Sequence, residues 1–362
     1  MKKQIILSSL LTIFIVFISC KTKNINYQKE AANADLYRAG LVKIVDIITH
    51  DIFAPPVASR IFTYASIAGY EAQLPGNPKF KSFANQLNGL KPATQPEAGA
   101  EYCFPVCGSI AMMKVGKALT FSGDSIEVYR TELIKKFEKL GVPNDVMSRS
   151  IAYGDAVGNH ILTWAANDNY KQLRTAQKYA VNFEKLETWK PTGPMYSDAL
   201  EPHWGEMRTL VLDSASQFRP ERPAPFSKEK GSLLYKQAME VYDSVANNND
   251  FTRETAKYWD DNAMATEVTG HVMMTKKKIS PGGHWIMIAD NVTRQKGYDV
   301  MQTAETFAMV SIGLYEAFIS CWKEKYESEY IRPETYINQF INKEWTLFLQ
   351  TPPFPEYTLG TA

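Results

Sequence analysis

Lys325 and Arg332 are the residues whose type and spacing most directly suggest chemistry. An ammonium and a guanidinium about two helical turns apart, at the mouth of a helix bundle, can clamp one tetrahedral oxyanion. Lys325 ends a stripe of Ala304, Phe307, Ser311, Leu314, Phe318 and Trp322, which recur three and four apart and share one helix face. The first six suit a core. A lysine continuing such a face either runs its stem outward to water or is held in a pocket by an anion. Arg332 precedes Pro333, which disfavours helical geometry at the residue before it, so Arg332 sits where the helix ends. On spacing alone, a structural Arg and a snorkelling Lys fit as well. Lys323, Glu324, Glu327 and Glu329 fall on other faces and read as solvated.

Other candidate groups are more scattered. His50, His160, His203, His271 and His284 offer no pair at metal-ligand spacing on one helix face, so no metal site is expected. Gly283-His284-Trp285 reads as a helix opening, with its imidazole capping or packing. Asp260 and Asp261 can be read as metal ligands, as partners for Arg332, or as groups that orient structure beside Trp259. Pro281-Gly282-Gly283 is a turn without the phosphate-loop pattern.

The elements that must position these residues are helical almost throughout. Helices are expected over 30–50, from Pro56 to about Gln73, over 98–119 with a break or kink at Pro105, from a cap at Ser122 or Asp124 through Phe137, and over 144–166. Further helices are expected over 230–246, 252–276, 285–296, 298–330 and 334–350. The stretch 74–96 reads as a long loop. The stretch 167–228, rich in Pro, Gly, Trp and Tyr, reads as an ordered functional loop or a boundary. No strand-rich block is evident, so the class is all-α, a packed bundle.

Composition agrees with a large core. The 362 residues are 45% hydrophobic and 12% aromatic, too apolar for a disordered chain. Lys and Arg number 40 against 39 Asp and Glu, which leaves no positive excess for binding nucleic acid. At the N-terminus, Lys2 and Lys3 precede an apolar run that ends at Cys20. Residues 1–19 read as a lipoprotein signal peptide with Cys20 as the lipid-bearing residue, or as an ordinary signal peptide with an incidental cysteine. Residues 20–34 read as a tether, 35–190 as an N-terminal helical half and 191–362 as a second half. The expected location is exported and lipid-anchored at a bacterial cell envelope, facing the periplasm or the surface. In an exported protein Cys103 and Cys107, four apart, are a plausible small-loop disulfide, ranked above zinc because no further soft ligand lies nearby. Cys321 reads as a buried thiol.

Lys325-x6-Arg332-Pro333 resembles the first signature of the superfamily that unites vanadium haloperoxidases and type 2 phosphatidic acid phosphatases. The resemblance extends to Ser59-Arg60 with Tyr64 and Tyr70-Glu71-Ala72, to His203-Trp204-Gly205, to Trp259-Asp260-Asp261-Asn262 and to Gly283-His284-Trp285. Thr351-Pro352-Pro353-Phe354-Pro355-Glu356-Tyr357 resembles the lead-in to the second signature. Length and the helical first half favour the haloperoxidase branch. The resemblance implies that Lys325 and Arg332 bind oxygens of vanadate or phosphate, with Gly360 beside them, and that Trp322 and Phe354 lie on the halide side. In a haloperoxidase an axial His holds vanadate, and peroxide and halide yield hypohalous acid. In a phosphatase the matching His attacks phosphorus.

The second signature would read Ser-Gly-His where this chain has Leu359-Gly360-Thr361, so only Gly360 matches. The expectation is a bundle missing its last helices, with Phe318 and Trp322 left uncovered, and a cage without reactive histidines that does not catalyse as written. The rival is a helical surface lipoprotein that binds a ligand without chemistry, its aromatic 167–228 loop stacking sugars or other flat molecules.

Overall fold

A computed structural model describes residues 26–358. The stretch 1–19 read as a signal peptide, Cys20 and Gly360 therefore lie outside the described residues. From Asn26 onward the expected tether is packed structure. Tyr27–Ala31 forms helix α1, and both Tyr27 and Ala31 are buried because the Tyr27 hydroxyl bonds the Glu101 carboxylate against the core.

The main bundle comprises α2 (Ala34–His50), α3 (Pro55–Glu71), α4 (Phe104–Leu119), α5 (Gly123–Lys139) and α6 (Asn144–Ala165), followed by the short α7 (Tyr170–Leu173). It is completed by α10 (Pro281–Gln295) and α11 (Val300–Ser328). α4 packs on α3 and α6, and α11 packs on α3 and α10. One core cluster runs from Tyr27 to Trp322, so it draws on both sequence halves. A second, smaller cluster joins α8 (Leu233–Ala246) and α12 (Pro333–Phe340) through Leu234, Ala238, Ile331, Tyr336 and Ile337.

Several expectations change in detail. Pro105 neither breaks nor kinks α4, because the helix starts at Phe104 and a missing N–H in the first turn costs nothing. The expected helix over 252–276 stops early. Asp250–Tyr258 forms α9, and Thr266–Thr269 (β1) pairs antiparallel with Val272–Thr275 (β2). β-branched Thr266, Val268, Thr269 and Val272 favour extended backbone, and Gly270 supplies the positive φ of 59° that the tight turn needs. The expected helix over 334–350 ends at Phe340, where the Asn338 side-chain amide captures the carbonyls of Asn342 and Trp345 (3.3 and 2.7 Å).

The expected disulfide is also absent. Cys103 and Cys107 are free, buried thiols. Cys103 is the N-cap of α4, in extended backbone, and Cys107 lies one turn into the helix. Cys107 Sγ instead donates to the Cys103 carbonyl at 3.4 Å. Burial pushes both thiols up, to about 11 and about 12, which keeps them protonated and unreactive.

Phe318 and Trp322 are not left uncovered. Both are buried, because residues 200–207 and Phe354 fold across that face of α11. A Cβ at Gly205 would lie 2.8 Å from Lys323 Cα, so the cover sits directly on the helix backbone. Among the described residues no helix is long and apolar enough to cross a membrane.

Candidate oxyanion site

α11 is the longest described helix, opened by a reciprocal cap between Asp299 and Gln302 and closed at Glu329 in the left-handed region. Every residue of its apolar stripe is buried or half-buried, and Lys325 at its end is 1% exposed. The stem does not snorkel. Lys325 Nζ donates to the carbonyls of Pro355 (3.0 Å), Glu356 (3.1 Å) and Thr358. Burial pulls the ammonium down to about 8, with the Cys321 thiol opposing the shift and the Arg332 charge adding to it.

Arg332 lies just past the helix end, in extended backbone before Pro333. Main-chain bonds on both sides hold this segment: Trp189 N donates to the Glu329 carbonyl (2.6 Å), Ile331 N to the Glu187 carbonyl (3.0 Å), and Glu356 N to the Tyr330 carbonyl (3.1 Å). The Arg332 guanidinium pairs with Glu356 and donates to the Pro352 carbonyl at 3.1 Å. Its Nε is buried with no partner.

The two cations meet over one ring. Lys325 Nζ lies 5.0 Å, and Arg332 Cζ 4.9 Å, from the Phe354 centroid. Trp322 packs 5.0 Å from Phe354, and its Nε1 donates to the Leu200 carbonyl at 3.1 Å. The structure therefore brings Lys325, Arg332, Trp322 and Phe354 together. The Glu356 carboxylate pairs with Arg332 alone, and a buried Arg332 N–H has no acceptor, so the site has both the surplus charge and the spare donor that an oxyanion would use. For an anion to reach Lys325, the 355–358 segment must give up at least one carbonyl contact.

Sequence reasoning missed three partners. Glu356 lies in the quoted lead-in but was not assigned to Arg332. Leu200 contributes a carbonyl, which no side-chain pattern reveals. Glu324, read as solvated, is 3% exposed and takes Arg219 at 3.2 Å and Arg222 at 2.7 Å from the 167–228 loop. That loop also receives the Tyr330 hydroxyl at the Ala224 carbonyl (2.6 Å) and the Tyr357 hydroxyl at the Glu221 carbonyl.

Asp260 and Asp261 do not reach Arg332. Asp260 pairs with Lys278, and Asp261 with His284, which stacks on Trp259. The other histidines also lie elsewhere: His50 at Asp51, His160 at the Lys91 carbonyl, His203 at Glu206, and His271 in the exposed hairpin turn. Among the described residues no cluster of His, Cys, Asp and Glu can hold a metal ion.

A bundle of buried helices gathers two cations and two aromatic rings at the end of its longest member, which is the arrangement of a candidate oxyanion site. The chain is similar to the crystal structure of the first bacterial vanadium-dependent iodoperoxidase, at 40% identity and a TM-score of 0.84, over 91% of this chain and 78% of that one. It belongs to the vanadium-dependent haloperoxidase family. Apo and holo bacterial vanadium-dependent chloroperoxidases share the fold, at 15% identity and TM-scores of 0.58 and 0.57, over 86% of this chain and 76% and 74% of theirs. No protein-family profile and no curated protein matches the chain.

Proposed function

We propose that the chain binds vanadate through Lys325 and Arg332, at a haloperoxidase-type site that lacks part of its catalytic set. The observation that carries this reading is the convergence of two buried cations on Phe354 with only Glu356 to balance them. The 40% identity to an iodoperoxidase makes iodide the halide to try first. Bound vanadate would supply the activation of peroxide that halide oxidation requires.

The chain's own residues have separate tasks. Arg332 would offer its unpaired Nε to an oxygen of the anion, and its charge would offset the anion. Lys325 contributes a second charge once a carbonyl of 355–358 is displaced. Trp322 and Phe354 exclude water from one side, which strengthens both interactions. Position 361, where the resemblance places the axial imidazole, is threonine. This sequence therefore binds the oxyanion without that nitrogen and oxidises iodide little above background.

The test is thermal melting of the chain in millimolar vanadate. The melting temperature should rise, as it does for any ligand that binds only the native state, and iodide oxidation should stay near background. The rise should vanish in Arg332→Ala. An equal rise in Arg332→Ala and Lys325→Ala would overturn the assignment.

A further inference from the structure

The first half of the chain carries a cavity that shares no residue with the candidate oxyanion site. Its volume of about 330 Å³ falls within the roughly 300–1,000 Å³ typical of small-molecule sites. Leu74, Pro75, Phe80, Pro92 and Ala93, all from the 74–96 stretch, give it apolar walls. Two polar side chains reach it from the bundle: Glu71 at the end of α3 and Tyr153 within α6. Each is only 7% exposed.

Neither side chain is used up by the fold. Glu71 accepts from the Ser82 hydroxyl at 2.7 Å and from Phe83 N at 2.7 Å, one bond on each oxygen. Those bonds anchor the loop and leave a further lone pair on each oxygen. Among the described residues no lysine or arginine pairs with this carboxylate. Burial raises its carboxyl above the ordinary range, and the Ser82 and Phe83 bonds oppose the shift. The Tyr153 hydroxyl has no hydrogen-bond partner among the described residues, and burial, then Cys107 and Glu71, hold its proton in place. No Lys or Arg lines the cavity. The site therefore has a negative charge and spare acceptors, and it lacks a cation.

We infer that this cavity binds a small organic ammonium compound, its N–H groups on Glu71 and the Tyr153 oxygen and its carbon body against the apolar loop. Two aromatic rings in the lining, Phe80 and Tyr153, favour a cation further. A bare metal ion fits less well, because Glu71 is the only carboxylate in the lining and calcium takes about six to eight oxygens. An anion would meet the Glu71 charge with nothing to offset it. A neutral guest would leave a buried carboxylate without a counter-charge. This assignment does not depend on the vanadate reading.

The test is an NMR titration of the full chain with n-butylammonium at neutral pH and constant ionic strength. Butylammonium should bind saturably. n-Butanol, the same carbon body without the charge, should bind roughly tenfold more weakly or less, the worth of hydrogen bonds between charged groups. Ala93→Trp, which fills the cavity without touching the Glu71 bonds, should weaken butylammonium by roughly tenfold or more, and Tyr153→Phe should weaken it severalfold. Glu71→Gln should abolish the preference for butylammonium over butanol; if loss of the loop anchor unfolds that variant, Ala93→Trp decides. No saturable butylammonium binding, equal binding of butanol, or unchanged affinity in Ala93→Trp would overturn the proposal.

Discussion

Lys325 carries more of the account than any other side chain. It is a charged group kept out of water without a carboxylate on its ammonium, and burial has brought its proton affinity to about 8. The sign of the pH effect follows. Below about 8 Lys325 is charged and attracts an anion; above it the charge is lost and the anion loses that partner. Affinity for inorganic sulfate, which stays a dianion throughout this range, should fall by up to about tenfold per pH unit above 8. Isothermal titration from pH 7 to 9.5 would check this, and a flat profile would place the ammonium outside the anion site. The candidate cation was legible because α11 keeps its apolar period for six turns before the lysine interrupts it. Glu324, one residue earlier, was not legible. Its partners Arg219 and Arg222 lie about a hundred positions away, and no local period connects a helix face to a distant loop.

At the scale of elements, the site depends on how irregular chain covers α11. Residues 204–206 lie so close to the helix that a Cβ at Gly205 would meet a backbone atom, which cannot swing aside. Gly205→Ala should therefore push this cover outward and cost about 1–3 kcal/mol. Since Leu200, just upstream, accepts the Trp322 indole and the Tyr326 hydroxyl, vanadate-induced stabilisation should shrink as well. A variant that melts like the native chain would show that the contact is loose. Most helices were legible from periodicity and caps. The β1–β2 hairpin was not, because charged residues before it continued a helix-like pattern and its only clear signal was Gly270 between β-branched residues. The early end of α12 was hidden for a related reason: whether Asn338 faces solvent or captures carbonyls is decided by folding.

Across the whole molecule, one buried polar network ties the first half to the loop that crosses into the second. Asp168 is 1% exposed and accepts Arg60 Nε at 2.6 Å and the Tyr64 hydroxyl at 3.0 Å, while Arg208 reaches the same hydroxyl at 3.1 Å. Asp168→Ala would strand a buried guanidinium and should cost about 3–5 kcal/mol in chemical denaturation. A loss under about 1 kcal/mol would mean that water reaches Arg60. The fold class was readable from sequence, and the haloperoxidase resemblance was carried by motifs spread over α3, α10, α11 and the irregular chain around them. How the 167–228 loop anchors to α11 was not readable, since that stretch has no sustained period.

The central claim is that Lys325 and Arg332 together hold an oxyanion, and vanadium NMR of the full chain tests it most directly. Titrating the protein into vanadate at pH 7 should broaden and shift the free signal saturably. Arg332→Ala and Lys325→Ala should each weaken that binding at least tenfold, and excess phosphate should reverse it. Binding of equal strength in both variants, or none in the native chain, would contradict the account.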